Sequence, residues 1–547
     1  MTKYIGIFDS SAYDILNLLP EIFLLGLVIF CLIYLSFYAG RSFHFMYFKV
    51  AFVFMQLGLI FCFLLHLLNL INWPAYTIHI FFGGYLICDL FSFFIKILIN
   101  FLTLLCGFIS YTYYKNQSMQ TYEYTLLLIF SLVGSMLLVS SYDLISFYLS
   151  MELVSFCLYT LAASRYNSVY SVEAGIKYFI NGCCVSGIYI FGVALFFLMT
   201  GTTNFYNLHL NLTDFFLDFV LSQWPEFTFN LLEFTFFSMA SIAVLALPFF
   251  KIGLVPYHFW VADVYEGSPL PITAYFSIVI KLVMVASTIR ILYGLLISVL
   301  PILKYILVLY ALSSIIIGVL SALGEQKIKR ILAFSSISHS GYILIGLVPL
   351  KYSALGATIN YIVIYALTNV IIFAFLLMTI GIRSYGVKRS IIYVSDLGLL
   401  KNTNFFWGVC FSIALLSFAG LPPFAGFFVK FYIFYELWFA GYTFSVLTMI
   451  LMSLISTYYY LRFIKCLFFS FHRKTVQLTQ TNFLNKTVIG LLAFFLSFYS
   501  LWSAYIYLIL ISVGISIVPA HIDEYFLWFL ENAYENNEIT FFHGFRT

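Results

Sequence analysis

The amino-acid sequence predicts an all-α polytopic membrane protein with about 14 transmembrane helices. Of its 547 residues, 63% are hydrophobic and only 9% are charged, whereas about a quarter of the residues in an ordinary soluble domain are charged. The mean hydropathy of +1.03 also excludes a disordered chain, because disordered chains contain few apolar residues. The net charge of +4 is small and spread along the chain, and it predicts no nucleic-acid partner.

Apolar stretches of about 20 residues, the length that crosses a bilayer, recur along the whole chain. The predicted spans are residues 20–39, 48–70, 89–112, 122–140, 142–163, 171–199, 229–258, 269–293, 297–321, 329–350, 354–381, 403–436, 442–469 and 486–514. The chain begins without the basic region and small-residue cleavage site of a signal peptide, so the first span is expected to remain in the mature protein.

Two further elements are predicted outside these spans. Residues 77–88 contain two short apolar runs around Gly83 and Gly84, a pattern typical of a β-hairpin. From His521 onward, acidic and aromatic residues alternate at roughly helical spacing, which predicts an amphipathic helix on the outer membrane surface. The alternative for this tail is a frayed terminus.

The 26 Lys and Arg residues are distributed unequally between the two sides of the predicted topology. Five lie within spans, and five lie in segments on the side of the termini. The other sixteen lie on the opposite side: Arg41, Lys49, Lys115, Arg165, Lys327, Lys329, Arg330, Arg383, Lys388, Arg389, Lys401, Arg462, Lys465, Arg473, Lys474 and Lys486. Because basic loops face the cytoplasm or, in an organelle, the matrix, both termini are predicted to face outward.

The sequence contains no motif for a redox centre or a nucleotide. Its nine cysteines lie in apolar runs without paired metal-ligand spacing, which argues against an iron-sulfur cluster. No GxGxxG turn between a strand and a helix and no P-loop is found. Any redox chemistry associated with this protein is therefore expected on another chain.

Four ionisable residues are predicted near the middle of the membrane, where each costs at least about 2.5 kcal/mol and is a functional candidate by default. Glu152 lies at the centre of its span, Lys251 lies between Pro248 and Pro256, Lys281 follows Pro269, and Lys430 follows the Gly420-Leu421-Pro422-Pro423 run. Prolines this close together predict broken helices, which mark ion sites in transporters. The alternatives are a protonated structural glutamate and lysines that reach the surface through their long stems.

Two other residues are weaker candidates. Lys177 lies near the inner end of its span with Glu173 as an i, i+4 partner, so a structural ion pair and a functional role are both open. His339 could stay in contact with water or join a water chain, since imidazole titrates near neutral pH. Asp89 begins a span and is predicted to cap it.

These groups suit proton transfer. Burial disfavours the charged form of a lysine, so a buried lysine can gain and lose a proton near neutral pH. A carboxylate close to the amine reverses this effect. If Glu152 approaches Lys251, the ion pair keeps the lysine charged, and separation releases the proton to the next carrier.

Six segments resemble the antiporter-like membrane subunits of respiratory complex I, and the subunit 2 (N-type) group is the most similar. They are DLISFYLSMEL, SVEAGIKYFINGCCVSGIYIFG, TGTTNF, FKIGLVPYHFWVADVYEGSPLPITAYFSIVIK, LGEQKIKRILAFSSISHSGYILIG and FAGLPPFAGFFVKFY. The resemblance covers roughly residues 89–470. It matches Glu152, Lys251, Lys281 and Lys430 to the proton-carrying positions of the family, and Lys177 lies in its EAGIKY motif.

The resemblance implies two inverted five-helix repeats, each with one broken helix. The predicted organisation is residues 1–121 with the first three spans and the hairpin, residues 122–293 and 297–470 as the two repeats, and residues 486–547 with the last span and the amphipathic tail.

The implied function is proton translocation within NADH:ubiquinone oxidoreductase. FMN, iron-sulfur clusters, NADH and the quinone site are expected on other subunits, with no cofactor in this chain. The expected partners are neighbouring antiporter-like subunits and membrane lipids, with cardiolipin as a candidate. The abundance of Phe and Tyr, 65 and 43 residues, suggests an AT-rich gene. It favours the mitochondrial inner membrane, with both termini in the intermembrane space, over a bacterial plasma membrane.

Two other function classes remain open. One is a subunit of a multisubunit cation/proton antiporter, and the other is a non-pumping scaffold of the same complex whose buried charges carry no protons.

Overall fold

Helices form over most of the apolar stretches of the chain. The computed structural model describes residues 14–38, 44–72, 78–116, 122–221, 227–378, 381–382, 388–389, 392–400, 405–469 and 483–517. Within these residues, 10 helices are long and apolar enough to cross a membrane. The chain is a multi-pass membrane protein, as predicted.

Two helices precede a short strand pair, and the other helices follow it. They are α1 (Leu19–Tyr38), α2 (His44–Asn72), α3 (Leu90–Asn116), α4 (Glu123–Ser140), α5 (Leu144–Ala162), α6 (Val169–Thr200), α7 (Phe205–Leu221), α8 (Phe227–Ile252) and α9 (Phe259–Gly267). The next element, α10 (Leu270–Leu295), is one span with π turns at Phe276–Ile280 and Ile291–Leu295.

The later helices are α11 (Leu300–Gly324), α12 (Ile328–Gly346), α13 (Tyr352–Met378), α14 (Phe405–Ala419), α15 (Ala425–Phe439), α16 (Thr443–Phe469), α17 (Phe483–Ser497) and α18 (Ser503–Ile515). A short strand pair, β3 (Gly381–Ile382) and β4 (Lys388–Arg389), lies between α13 and α14. It was not predicted.

The predicted hairpin at residues 77–88 is confirmed by β1 (His79–Phe81) and β2 (Leu86–Cys88), which pair with His79 opposite Cys88. Gly83 and Gly84 form the turn with φ angles of +66° and +96°, values that glycine adopts without strain. Asn204 Nδ2 donates a hydrogen bond to the carbonyl of Gly84 at 2.7 Å. We call the end of the helical bundle that carries this hairpin the hairpin face.

The opposite end of the bundle is called the loop face. It is marked by an isolated bridge between Lys327 and Tyr393. Spans that are buried in the protein and spans that face outward are clearly distinguished: the most apolar stretch of α10 is 100% buried, whereas that of α6 is 28% buried. The centre of the protein is therefore built around α10, and α6 lies at its edge.

Two differences from the sequence-based topology have local causes. The span predicted at residues 486–514 is two short helices, α17 and α18, separated by a 3-10 turn at Tyr499–Leu501. The break was not predicted, because no proline or glycine lies at it. The helix α7 lies where no element was predicted, since its apolar stretch is too short for a span. The amphipathic helix predicted after His521 lies outside the described residues, and the inverted repeats stay a prediction.

The first predicted broken helix is present at the end of α8. Pro248 lies inside α8, and the helix ends at Ile252. The next residue, Gly253, has φ +83°, and its N–H donates to the carbonyls of Phe249 and Phe250, both at 3.0 Å. This is a glycine helix end of the common left-handed type, and the short helix α9 continues beyond it.

The second predicted break divides residues 403–436 into α14 and α15. Gly420, with φ +79°, follows the last residue of α14, and Pro422 and Pro423 lie between the two helices. The N–H of Gly426 donates to Ser417 Oγ at 3.2 Å, and a Cβ at position 426 would lie 1.7 Å from the carbonyl oxygen of Ser417. The start of α15 therefore crosses the end of α14 at a distance that only glycine permits.

Two buried ion pairs join the first helices to the rest of the structure. Glu21 and Lys96 meet at 2.6 Å with side-chain exposures of 2% and 1%. Arg290 holds Asp89 through two hydrogen bonds, at 2.9 and 3.0 Å. Asp89 also accepts the N–H of Ser92 at 2.8 Å, which confirms its predicted capping role and adds an ion partner that sequence reasoning missed.

The Glu21–Lys96 pair gives a stability prediction. Lys96→Met is expected to lower the free energy of unfolding by about 3–5 kcal/mol, because it leaves a buried carboxylate without a partner. The yield of assembled protein should fall as well. The double variant Glu21→Leu with Lys96→Met should recover most of the loss, since it removes both charges. Thermal unfolding of the purified membrane complex measures both. Equal losses in the single and double variants would contradict this account.

The α14–α15 crossing gives a second stability prediction. Gly426→Ala should destabilise the protein by about 2 kcal/mol or more, because the added methyl group collides with backbone. The control is Gly187→Ala, which introduces a Cβ with nothing within 4 Å. The same unfolding measurement, with the amount of assembled complex on native gels, compares the two. Equal stability of the two variants would show that the crossing is less tight than described.

Candidate functional site

Lys251 lies in the last turn of α8, next to the first helix break, and is 2% exposed. Its Nζ donates a hydrogen bond to Tyr159 Oη at 3.1 Å. The rings of Tyr159 and Tyr178 lie 4.5 and 4.6 Å from Nζ, distances at which an aromatic face stabilises a cation. The amine is thus held by a hydroxyl and two ring faces.

Tyr159 reaches this position because α6 leaves room for it. A Cβ at Gly182 would lie 1.9 Å from Tyr159 Oη. Gly182 belongs to the EAGIKYFINGCC segment noted in the sequence, and it allows the hydroxyl of Tyr159 to lie between α5 and α6. Sequence reasoning missed Tyr159, for which the signal is its position seven residues after Glu152 on the same helical face.

Glu152 is half-buried on α5 and accepts a hydrogen bond from Ser155 Oγ at 3.1 Å. Glu152 and Lys251 form no ion pair within 4.0 Å among the described residues. Tyr159, whose Oη is hydrogen-bonded to Lys251, lies on the same helix as Glu152. The switch between Glu152 and Lys251 stays a prediction.

Lys177 lies at the loop face and is 44% exposed. It pairs with Glu173 at 2.8 Å, as the i, i+4 spacing predicted, and with Asp263 of α9 at 2.9 Å. Lys177 is therefore separate from the buried lysines. Its pairing fits a structural role as well as a role at the mouth of a pathway.

Lys281 lies at the centre of α10 and is 3% exposed. The π turn Phe276–Ile280 ends directly before it, a distortion that is often found at functional sites in helices. Its Nζ donates to the backbone carbonyl of Ser336 on α12 at 2.6 Å. The ring of Tyr365 lies 5.8 Å from Nζ.

His339 lies in the middle of α12 and is 4% exposed, so it does not stay in bulk water at a helix end. One ring nitrogen, Nδ1, is 2.6 Å from Tyr361 Oη, and the other, Nε2, is 3.1 Å from Tyr460 Oη. The ring of Tyr365 is 5.2 Å from that of His339, so Tyr365 contacts both Lys281 and His339. A neutral imidazole has one donor and one acceptor nitrogen. His339 can therefore connect the hydrogen bonds on the two sides of its ring.

Lys430 lies near the start of α15 and is 5% exposed. Its Nζ donates to the carbonyls of Phe418 and Ala419 at 2.9 and 3.2 Å. These carbonyls end α14, where the last turn of a helix leaves acceptors without an intrahelical partner. The break in the helix thus supplies the acceptors that hold the buried amine.

A small cavity joins Lys430 to His339. Its lining includes Tyr361, Tyr365 and Thr368 of α13, and its interior leaves about 10 Å³ for the centres of water molecules, close to the minimum for one water. Lys281, the ring of Tyr365, His339, this cavity and Lys430 therefore form one line of contacts through the second half of the protein.

The line between Lys251 and Lys281 is different, because aromatic rings separate the two amines. The ring of Tyr178, which contacts Lys251, stacks on Trp260 at 4.5 Å and lies 5.8 Å from Phe276. Phe276 begins the π turn before Lys281. The six predicted residues therefore form two groups, Glu152 with Lys251 and Lys281 with His339 and Lys430, while Lys177 lies apart.

A charged cluster at the loop face was missed by sequence reasoning. Glu266 accepts hydrogen bonds from Lys327 at 2.5 Å and from Arg330 at 3.2 Å. The hydrogen bond to Glu266 raises the pKa of Lys327, so Lys327 stays charged at neutral pH. The acidic residues of the DVYEGSP segment were the available signal. They connect α9 to the start of α12.

The described residues contain no group of three or more His, Cys, Asp or Glu side chains that could hold a metal ion. The candidate site residues offer amines, hydroxyls, the imidazole of His339 and the carboxylate of Glu152. The chemistry that this set supports is the transfer of protons.

Solved structures share this fold. A chain of respiratory complex I from Thermus thermophilus matches with a TM-score of 0.71 and 24% identity, covering 90% of this chain and 99% of that chain. A chain of the Mrp complex from Dietzia sp. DQ12-45-1b matches with a TM-score of 0.71 and 19% identity, covering 93% and 98%. These similarities establish the fold.

Relatives match at higher identity. Chain 2 of NADH-ubiquinone oxidoreductase from Marchantia polymorpha is 33% identical over 498 residues, or 91% of this chain and 97% of that one. Subunit N of NADH-quinone oxidoreductase from Paramagnetospirillum magneticum is 33% identical over 389 residues, or 71% and 76%. The family model for the transmembrane region of NADH:quinone oxidoreductase and Mrp antiporter subunits matches residues 141–456. The chain therefore belongs to this family of antiporter-like membrane subunits, as the motifs of the sequence indicated.

Proposed function

We propose that this chain is a proton-translocating membrane-arm subunit of an NADH:ubiquinone oxidoreductase, and that Lys251, Lys281 and Lys430 carry the protons. One observation supports this assignment above the others. The three lysines are at most 5% exposed, and in the part of the chain that the structure describes none of them has a carboxylate within 4.0 Å. The buried structural cations Lys96 and Arg290 each have one.

The difference between these two sets is chemical. A buried cation that serves packing is paired with an anion, because an unpaired charge in the membrane interior is expensive. A lysine that contacts only hydroxyls, carbonyls and ring faces can lose its proton without leaving a buried carboxylate unpaired. The three lysines belong to the second kind.

Glu152 supplies the switch for the first lysine. When its carboxylate moves toward Lys251, the charged amine is stabilised. When it moves away, the proton leaves Lys251, and Tyr159 Oη then donates to the neutral amine instead of accepting from it. The aromatic layer of Tyr178, Trp260 and Phe276 stands between Lys251 and Lys281, so water must enter this layer before a proton can cross. Hydration of this layer therefore gates the transfer.

From Lys281 to Lys430 the route is shorter. Lys281 passes its proton along the line that contains Tyr365 and His339, and the cavity beside His339 offers the site for one bridging water. His339 takes a proton on one ring nitrogen and releases one from the other. Lys430 then accepts the proton, held by the carbonyls at the end of α14. Lys177 and the Glu266 cluster form the charged surroundings at the loop face.

The remaining assignments follow from the family and the charge distribution. FMN, iron-sulfur clusters, the NADH site and the quinone site belong to other subunits, and neighbouring antiporter-like subunits and membrane lipids, including cardiolipin, surround this one. The sixteen basic residues that the sequence predicts on the side opposite the termini support a location of the loop face in the matrix, with both termini in the intermembrane space of a mitochondrion. Mitochondrial-type and bacterial relatives are both found, so a bacterial plasma membrane is the alternative.

The complex itself is the first test. The chain should co-purify with flavin and with NADH:quinone reductase activity. If it instead purifies in a complex that lacks flavin and quinone reduction, this assignment fails and the multisubunit cation/proton antiporter is the better assignment.

The proton carriers are tested by substitution. Lys251→Ala and Glu152→Gln should each lower proton pumping and coupled quinone reduction at least about a hundredfold, the lower end of what a positioned acid or base contributes. NADH oxidation by artificial acceptors should stay intact, because no redox centre is touched. Lys351→Ala, a change at an exposed lysine of the hairpin face, is the matched control. Normal pumping in both variants would support a non-pumping scaffold.

A further inference from the structure

Glu436 is a buried carboxylate on α15 that neither the motifs nor the proposed proton carriers include. It is 7% exposed. Ser353 Oγ donates to its Oε2 at 2.7 Å, and Tyr507 Oη donates to its Oε1 at 2.9 Å. No basic side chain lies within 4.0 Å of it among the described residues. A buried carboxylate in a membrane protein that has only neutral hydrogen-bond partners is a functional candidate.

The position of Glu436 relates it to Lys430. Both lie on α15, and a separation of six residues corresponds to about 9 Å along the helix axis. Glu436 is the more distant of the two from the helix break and lies within the last turn of α15, which ends at Phe439. Its partner Ser353 lies at the start of α13. The segment just before α13 meets the end of α10, where Tyr293 donates a hydrogen bond to the carbonyl of Leu347. Glu436 is therefore at the hairpin face.

A polar seam lies between the two residues. Asn360 of α13 is fully buried, and its Oδ1 accepts a hydrogen bond from Tyr499 Oη at 2.7 Å. Its Nδ2 has no hydrogen-bond partner among the described residues. Along α13, Asn360 lies between Ser353, which binds Glu436, and Thr368, which lines the cavity of Lys430.

The seam continues to Glu436 itself. The rings of Tyr432 and Tyr507 stack at 4.3 Å, and Tyr507 is the residue that donates to the carboxylate. An unpartnered buried donor in a row of hydroxyls is a position that a bridging water satisfies. The seam thus has one hydrogen-bonded pair at Asn360 and Tyr499 and a second at Tyr507 and Glu436.

We propose that Glu436 accepts the proton of Lys430 and releases it at the hairpin face. In this step the Lys430 ammonium loses one proton and becomes a neutral amine, while the Glu436 carboxylate gains that proton and becomes a neutral acid. The acid then gives the proton to water at the hairpin face, and Lys430 is protonated again from the His339 side. The proposal rests on the proposed function of Lys430.

The test uses Glu436→Gln in the assembled complex. Glutamine has the same shape and can keep both hydrogen bonds, since its oxygen accepts from Ser353 and its amide donates to Tyr507. The expected result is a loss of proton pumping of at least about tenfold with normal assembly, since a positioned acid or base typically contributes this much or more. Glu436→Asp should retain part of the pumping. Glu123→Gln, at an exposed glutamate at the start of α4, is the matched control.

Two results would overturn the proposal. One is wild-type pumping by Glu436→Gln in an assembled complex. The other is decided by Ser353→Ala, which removes one hydrogen-bond partner and keeps both the carboxylate and Tyr507. If Glu436→Gln does not assemble, the proposal requires that Ser353→Ala assemble and pump protons. Failure of Ser353→Ala to assemble or pump would then show that Glu436 is only a structural anchor between α13, α15 and α18.

Lys430→Ala separates this proposal from the proposed function. If Lys430→Ala stops pumping and Glu436→Gln does not, only the assignment of Glu436 fails. If Lys430→Ala pumps normally, the role of the buried lysines fails as well.

Discussion

Every buried charge in this chain has to find its partners within the protein, because the surrounding lipid offers none. The rest of the structure depends on this constraint. Lys96 and Arg290 satisfy it with carboxylates, and these pairs fix the first helices against the centre of the bundle. Lys251, Lys281 and Lys430 satisfy it with hydroxyls, ring faces and backbone carbonyls, which hold an amine whether or not it is charged. The choice of partner thus divides these buried basic side chains into ion-paired cations and amines held by neutral groups.

The two helix breaks show how the backbone serves this constraint. In the second break, the carbonyls that end α14 bind Lys430 directly. In the first break, Lys251 precedes Gly253, and the hydroxyl of Tyr159 accepts a hydrogen bond from Lys251. The same sequence device, proline and glycine within an apolar stretch, therefore places a lysine before one break and after the other. The surroundings differ accordingly, with an aromatic layer beside Lys251 and a small cavity beside Lys430.

Much of this arrangement could be predicted from the sequence. The membrane class, the hairpin at residues 77–88, both helix breaks and the burial of the three lysines follow from local signals, namely apolar length, paired glycines and closely spaced prolines. What could not be predicted depends on contacts between distant segments. Asp89 was correctly predicted as a cap, but its partner Arg290 lies 201 positions away. Tyr159 and Glu436 carry no motif, and the DVYEGSP segment that contains Glu266 does not reveal its partner. Only packing brings Tyr159 to Lys251, Glu266 to Lys327, and Ser353 and Tyr507 to Glu436. The division at Tyr499–Leu501 lacks a proline or glycine and was missed for that reason.

The central claim is that Lys281, His339 and Lys430 belong to one hydrated line for protons. The most direct measurement is a cryo-EM map of the assembled complex at a resolution that shows ordered water. We expect a water in the cavity between His339 and Lys430, within hydrogen-bond distance of Lys430 and of the Tyr361 hydroxyl that contacts His339. We also expect waters that enter the aromatic layer beside Lys251 in at least one state of turnover. A cavity that is dry in every state, with apolar side chains closing the line on both sides of His339, would contradict it.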